Sequence, residues 1–328
     1  MSGSFQPRVA AVVIAAAVTG SLGSTQVVAQ GAYPNQPIRF VVPNPPGGLP
    51  DIMMRLLTEP LRERLGQPMI VENRPGASGG IGAAVVTASK PDGYTFLVSD
   101  SSIISTTPLL QAKLPHDPKD LMPVSLIARA HIFLAAHSKL PVNNLKELVE
   151  YVKANPDKLN YGSIGVGSFH HLSMEAMMSE LGLKLSHIPY KGSGESVTAL
   201  RGGHIELVFA SYAALIPAVK SQQAKLIASN GAQRSSQAPE VPIIADIIPG
   251  FDLSVTQSLY ARAGTPAELV NKIAAEIAAV VKLPNVIEKF AVAGIDPVGA
   301  GPDVLADILA REAVSVGKIV KAAGLKPN

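Results

Sequence analysis

Cysteine and tryptophan are both absent from this 328-residue chain, and charge is scarce, at 16% of residues. Without cysteine there is no disulfide framework, no thiolate nucleophile, no cysteine-ligated metal and no cysteine-linked lipid anchor. The charged share lies well below the roughly 25% of an average soluble protein, and 28 basic against 25 acidic residues leave a net charge of +3. No Lys/Arg run of the kind that tracks a phosphate backbone is present, which argues against nucleic acid as a partner. The chain is instead 47% hydrophobic, enough at this length to bury a core in one large or two ordinary domains and to rule out disorder.

Part of that apolar share sits at the N-terminus. Arg8, the apolar run Val9 to Val18 and the small-residue site Val27-Val28-Ala29 have the form of a secretory signal peptide over residues 1–29. The run is too short to span a bilayer, which needs about 20 apolar residues. Its removal takes one arginine and no acid, so the expected mature chain carries +2, from 27 basic and 25 acidic residues. An exported, periplasmic protein is the expectation.

Beyond it, short apolar runs alternate with helical patterns, the mark of βαβ units and an α/β fold. Ile38 to Val42, Met69 to Val71 and Thr95 to Val98 read as strands, separated by helices over Pro50 to Leu65 and Gly79 to Ser89. A second series has strands at His131 to Ala136, Leu159 to Tyr161, Lys184 to Ile188, Glu206 to Phe209 and Lys225 to Ala228, with helices at Leu145 to Ala154 and Ser168 to Leu181. The C-terminal third reads as helical. Thr265-Pro266-Ala267-Glu268 has the form of a capped helix start, with Thr265 as the cap, and Pro302 opens the last helix. Proline-rich stretches at Leu114 to Pro118 and Ala238 to Pro242 suggest two crossings between lobes. The expected division is a discontinuous domain of 30–125 plus 246–328, a domain of 126–245, and a cleft between them.

Loops that follow strands and open helices are the natural ligand sites of such a fold, because first-turn amides carry partial positive charge. Asn44-Pro45-Pro46-Gly47-Gly48-Leu49 is one such loop. It lacks the G-x-G-x-x-G and G-x-x-x-x-G-K-[ST] patterns of nucleotide sites, and reads equally as a tight connection or as an anion site. Gly165-Val166-Gly167-Ser168-Phe169-His170 repeats the design in the second series, with Ser168 as a natural N-cap. If the lobes face each other, two helix starts converge on one carboxylate.

The remaining signals are weaker. His171 and Glu175 share a helix face but lack the third ligand and the H-E-x-x-H pattern of zinc sites, so no metal or cofactor is expected. Gly76-Ala77-Ser78-Gly79-Gly80 matches the G-x-S-x-G of a serine hydrolase. The triad order fails, since His204 is the last histidine, and Ser78 with Gly79 is read as a ligand contact. Ser99, Ser101, Ser102 and Ser211 follow strands and would line a pocket with neutral hydroxyls.

Taken in order, these motifs resemble the solute-binding proteins of tripartite tricarboxylate transporters, the Bug or TctC family. The matching runs are Tyr33-Pro34, Pro37-Ile38-Arg39, Val41-Val42-Pro43 with Pro46-Gly47-Gly48 and Asp51, Leu65-Gly66-Gln67-Pro68, Val71 to Gly76, Pro91 to Thr95, Gly165 to His171, His187 to Gly192, and Ala263 to Pro266. The resemblance implies a two-lobed Venus-flytrap protein of the type II-like class. It would grip a small carboxylate between the loops Asn44 to Leu49 and Gly165 to His170, and deliver it to membrane subunits of the transporter. Asn44, Leu49-Pro50 and Gln257 to Tyr260 depart from the family pattern and alter the pocket wall. Leu49, Ile103 and Phe169 would supply apolar contacts, which points to an aromatic dicarboxylate such as terephthalate rather than an amino acid. The expected protein is a monomer without catalytic activity; the alternatives are a serine hydrolase using Ser78 and a ligand sensor for a membrane receptor.

Overall fold

Two mixed sheets, each with its own helices, organise the chain. The computed structural model describes residues 1–4 and 33–327; the expected signal segment lies almost wholly outside the described residues, and Pro34–Asn328 group as one unit. The first half runs β1 (Ile38–Val42), α1 (Leu49–Leu65), β2 (Met69–Asn73), α2 (Gly80–Thr87), β3 (Thr95–Asp100), α3 (Ser102–Ser105), α4 (Thr107–Leu110) and β4 (Leu121–Ala130). The second runs β5 (Ile132–His137), α5 (Leu145–Ala154), β6 (Asn160–Ser163), α6 (Phe169–Leu181), β7 (Ser186–Pro189), α7 (Ser193–Arg201), β8 (Leu207–Ser211), α8 (Tyr212–Lys220) and β9 (Ala224–Ser229). The chain then returns through β10 (Val255–Arg262), α9 (Ala267–Val280), α10 (Pro284–Ala293), β11 (Asp296–Ala300) and α11 (Pro302–Ala322).

The first sheet has the order β11-β4-β10-β3-β1-β2 and the second β7-β6-β8-β5-β9. In each, three strands are parallel (β2, β1, β3 and β7, β6, β8). An antiparallel strand follows in each, and it enters directly after a crossing between the sheets: β5 in the second and β10 in the first. The two halves thus repeat one topology.

Several elements differ from expectation. The C-terminal third contributes two strands as well as helices, and β10 lies mid-sheet. Its sequence VTQSLYAR shows no alternation because Thr256 through Ala261 are all buried; a strand covered on both faces loses its period-two signature. β4 continues through Ala130, so the expected boundary at 125 falls inside it and the outward crossing is at His131. Pro266, not Thr265, stands at the N-cap of α9, and the Thr265 hydroxyl donates to the Arg262 carbonyl instead. Pro302 does open α11.

Buried Asn230 holds the two crossings together. Its Oδ1 accepts from the Ile132 amide at 3.1 Å, and its Nδ2 donates to the Leu253 carbonyl. Beside it the Arg129 guanidinium donates to Asp252 at 2.8 Å, again joining one crossing to the other. Among the described residues no helix is long and apolar enough to cross a membrane.

Packing at the strand ends is tight. A Cβ on Gly82 of α2 would stand 2.9 Å from Pro43 Cβ and 3.2 Å from the Arg74 carbonyl. Gly82→Ala should therefore lower unfolding free energy by about 1–3 kcal/mol despite alanine's better helix propensity, a loss that urea denaturation would measure.

Candidate functional site

The residues read from the sequence as ligand contacts lie at the carboxyl ends of parallel strands. The segments after β1, β2 and β3 carry Asn44 to Leu49, Ser78 with Gly79, and Ser101 with Ser102; the segment after β6 carries Gly165 to His170, and Ser211 ends β8. This is where an open parallel sheet leaves room for a ligand.

The first loop is shaped by Asp51, a buried carboxylate in the opening turn of α1. Gly47, at φ +84°, donates its amide to Asp51 Oδ2 at 2.9 Å. Arg55 Nε (2.9 Å) and Asn73 Nδ2 (3.0 Å) donate to Oδ1. Asn73 also donates to the Asn44 carbonyl at 3.0 Å, so β2 clamps the loop that follows β1. Burial alone would raise the Asp51 pKa, but Arg55, the Gly47 amide and Asn73 together bring it below the usual aspartate value. The Gly48 amide turns inward to the Pro45 carbonyl at 3.2 Å. In the opening turn of α1 the amides of Leu49 and Asp51 have no internal acceptor, and Pro50 has no amide hydrogen.

The second loop repeats this geometry with different chemistry. Gly167, at φ +79°, donates its amide to His171 Nδ1 at 3.1 Å. Ser168 caps α6, its hydroxyl accepting from the His171 amide at 3.2 Å and donating to the Gly165 carbonyl at 2.7 Å. The Gly165 amide donates to Ser163 Oγ at 3.1 Å. Because His171 Nδ1 accepts, its proton sits on Nε2, which faces Glu175 Oε1 at 3.4 Å, and Tyr161 donates to the same oxygen at 2.6 Å. His187 stacks on His171 at 4.0 Å and on Tyr161 at 4.9 Å, with its Nε2 2.7 Å from Ser163 Oγ. The His171–Glu175 pair thus braces the loop. Phe169 and His170, the first two residues of α6, keep amides without an internal acceptor.

The other expected contacts divide. Ser78 is exposed, sits at φ +49° and hydrogen-bonds to no histidine. Gly79 adjoins Pro43 and Ile103: a Cβ there would lie 3.3 Å from Ile103 Cδ1 and 3.5 Å from Pro43 Cβ. Gly167 lies against Leu110 of α4, which a Cβ would overlap at 2.2 Å, so the first half reaches the second at this loop. Ser101 is fully buried and gives its hydroxyl to Glu312 at 2.7 Å, which removes that hydroxyl from the pocket lining. Ser102 bonds back to Asp100 through its amide at 2.9 Å and its hydroxyl. Ser211 is half-buried, its amide 3.4 Å from Ser193 Oγ. Ile103 and Phe169 are packed in the cores, so Leu49 alone of the expected apolar lining stays half-exposed. Asp51, Asn73, His171, His187 and Glu312 are the residues that reasoning about ligand contact passed over, although Asp51, Asn73, His171 and His187 stood in the motif runs.

Two further cavities, of about 560 and 250 Å³, are lined by none of the two loops' residues; the first surrounds Lys139, Arg201 and Glu206, and the second lies beside α11.

Burial drives two histidines here down to about 4: His170, whose two ring nitrogens have no partner, and His187, which also feels His171. Both stay neutral in the fold while the unfolded chain takes up protons near pH 6.5, so stability is present above that value and falls as pH drops from 6.5 toward 4. His170→Leu should lose about 2 kcal/mol less than the parent between pH 7 and pH 5, as measured by urea melts at the two pH values.

The family model for the tripartite tricarboxylate transporter family receptor matches residues 53–325. Protein BugT of Bordetella pertussis is 33% identical over 307 residues, covering 93% of this chain and 94% of its own. An adipate-bound protein of R. palustris superposes with a TM-score of 0.77 at 30% identity, over 90% of this chain and 100% of that one. MatC of Rhodopseudomonas palustris with bound malate gives 0.69 at 27% identity, over 88% and 100%. The repeated sheet topology, the two strand-end loops and these matches together establish that the chain is a two-lobed, TctC-type solute-binding protein, a member of the tripartite tricarboxylate transporter receptor family.

Proposed function

We propose that the protein captures a small dicarboxylate between its two strand-end loops and hands it to the membrane subunits of a tripartite transporter. The observation that carries this reading is the pairing of two equivalent helix starts, one per sheet. Each has a glycine amide already satisfied by its own helix and first-turn amides still open. A carboxylate accepts from such amides with charge-assisted strength and is favoured by the helix dipole. Adipate and malate, held by the two similar proteins, are both dicarboxylates.

The pocket residues in this reading are Asn44, Pro46, Gly47, Gly48 and Leu49 from one loop and Gly165, Gly167, Ser168, Phe169 and His170 from the other, with Ser78, Gly79, Ser102 and Ser211 at the margins. Contacts come chiefly from backbone amides and from water. The expected lobes, residues 30–125 with 246–328 and residues 126–245, shift in this reading at both joins: β4 keeps the first lobe to Ala130, and Phe251 and Leu253 pack in the core of the second. Leu49 is the apolar surface for an aromatic ligand, and terephthalate is the aromatic candidate. The protein is exported by its N-terminal segment to the periplasm, acts as a monomer and catalyses no reaction. Ser78, exposed and without a histidine partner, supports that last point.

Calorimetry with adipate, malate and terephthalate tests the reading. At least one should bind and be recovered unchanged, and Ser168→Ala should weaken it tenfold or more, because the cap that orients the Phe169 and His170 amides is lost. Binding by none, or ester hydrolysis abolished by Ser78→Ala, would overturn it.

A further inference from the structure

Helix α11 belongs to both halves of the molecule. Its Leu305 and Leu309 are buried in the core of the first sheet, whereas Val316, Ile319 and Val320 are buried in that of the second. Between them stands Glu312, whose Oε1 accepts from Ser101 Oγ at 2.7 Å and from Ser105 Oγ at 2.6 Å. These serines flank a single turn, the Ser105 amide bonding to the Ser101 carbonyl at 2.9 Å. The same turn carries Ile103, which packs against Gly79 at the strand-end site.

We infer that Glu312 is a positioning residue for the ligand cleft: its carboxylate ties the α3 wall to the helix that both cores share, and the tie slackens when the carboxylate takes up a proton. The effect on affinity rests on the dicarboxylate-receptor reading; the tie itself does not.

Among the described residues no cation pairs with Glu312. Arg129 is engaged by Asp252 and Ser254, and Arg311 Nε donates to the Asp307 carbonyl at 3.3 Å. Asp100 of β3 and Asp252 of the return crossing face it as like charges. From β10 come Thr256, a buried hydroxyl at the wall of the 250 Å³ cavity, and the buried Tyr260, whose hydroxyl lies beside Ser258; Ser315 joins that wall from α11 itself. Burial, opposed by the two serine hydroxyls and assisted by those carboxylates, lifts the Glu312 carboxyl to about 7. The ionised group is therefore held by two hydroxyl donors alone, which bond more strongly to a carboxylate than to a carboxylic acid.

The sign of the stability effect follows. A carboxyl raised in the fold costs stability above its unfolded value of 4.5, increasingly up to about pH 7. Glu312→Gln keeps the shape and the acceptor but cannot ionise, so its Tm should exceed that of the parent by several degrees at pH 8 and match it near pH 4.5.

The test measures binding of adipate, malate and terephthalate at pH 6 and 8, with a carbon-13 NMR titration of the Glu312 carboxyl. The parent should bind several-fold tighter at pH 8, Glu312→Gln should show no such difference, and Ser105→Ala should move the titration midpoint upward. A Gln variant whose pH profile parallels the parent overturns the inference. If no probe binds the parent, the dicarboxylate reading fails on its own, and the tie is judged by the titration: a midpoint unmoved by Ser105→Ala overturns it.

Discussion

A glycine amide one residue before a helix cap, bonded to the side chain four residues on, fixes both loops of this receptor. In one half it is Gly47 to Asp51, in the other Gly167 to His171. The two glycines have nearly the same left-handed backbone, at φ +84° and +79°, where a residue with a Cβ is strained. The acceptor in each case is the third residue of the helix, so the helix reaches back and closes its own entrance loop. Chemistry differs between the halves: a carboxylate steadied by Arg55 and Asn73 in one, an imidazole steadied by Glu175, Tyr161 and His187 in the other. The geometry, rather than the residue type, is what repeats.

This bond changes what the glycines do. They shape the loop and keep their own amides occupied, while the donors free for a ligand belong to the opening turns of α1 and α6. Such donors are fixed in direction by the helix and need no reorganisation when a carboxylate arrives. They also supply positive potential without a cationic side chain, which suits a chain with so few charges. Around them the molecule is stitched at its crossings by Asn230, by Arg129 with Asp252, and by α11.

Much of this was legible in the sequence because strands buried in parallel sheets read as apolar runs and the loops between them are spelled in glycine, proline and serine. The start of α1 after Gly48, the Ser168 cap and the boundaries of α5 follow from local signals. Three strands were missed, β4, β10 and β11, the last a short half-buried DPVGA segment that carries Pro297 and Gly299. β10 is buried on both faces while carrying Thr256, Gln257 and Ser258, and β4 contains Pro123, so neither shows alternation or an unbroken apolar run. The site was legible as loops but not as bonds. No spacing rule tells that Asp51 takes up the Gly47 amide, that Ser101 turns its hydroxyl to Glu312 some two hundred residues away, or that Ile103 and Phe169 are spent on the cores. Those are choices among partners that only the assembled fold brings within reach.

The central claim is that the ligand is held by the helix starts while the glycine amides stay tied to their own helices. A crystal structure of the protein with adipate, or with whichever of the three probes binds best, tests it directly. The account predicts carboxylate oxygens within hydrogen-bond distance of the amides of Leu49 or Asp51 and of Phe169 or His170, with Gly47 still on Asp51 and Gly167 still on His171. Carboxylate oxygens bound instead to the Gly47 and Gly167 amides, with Asp51 and His171 displaced, would contradict it.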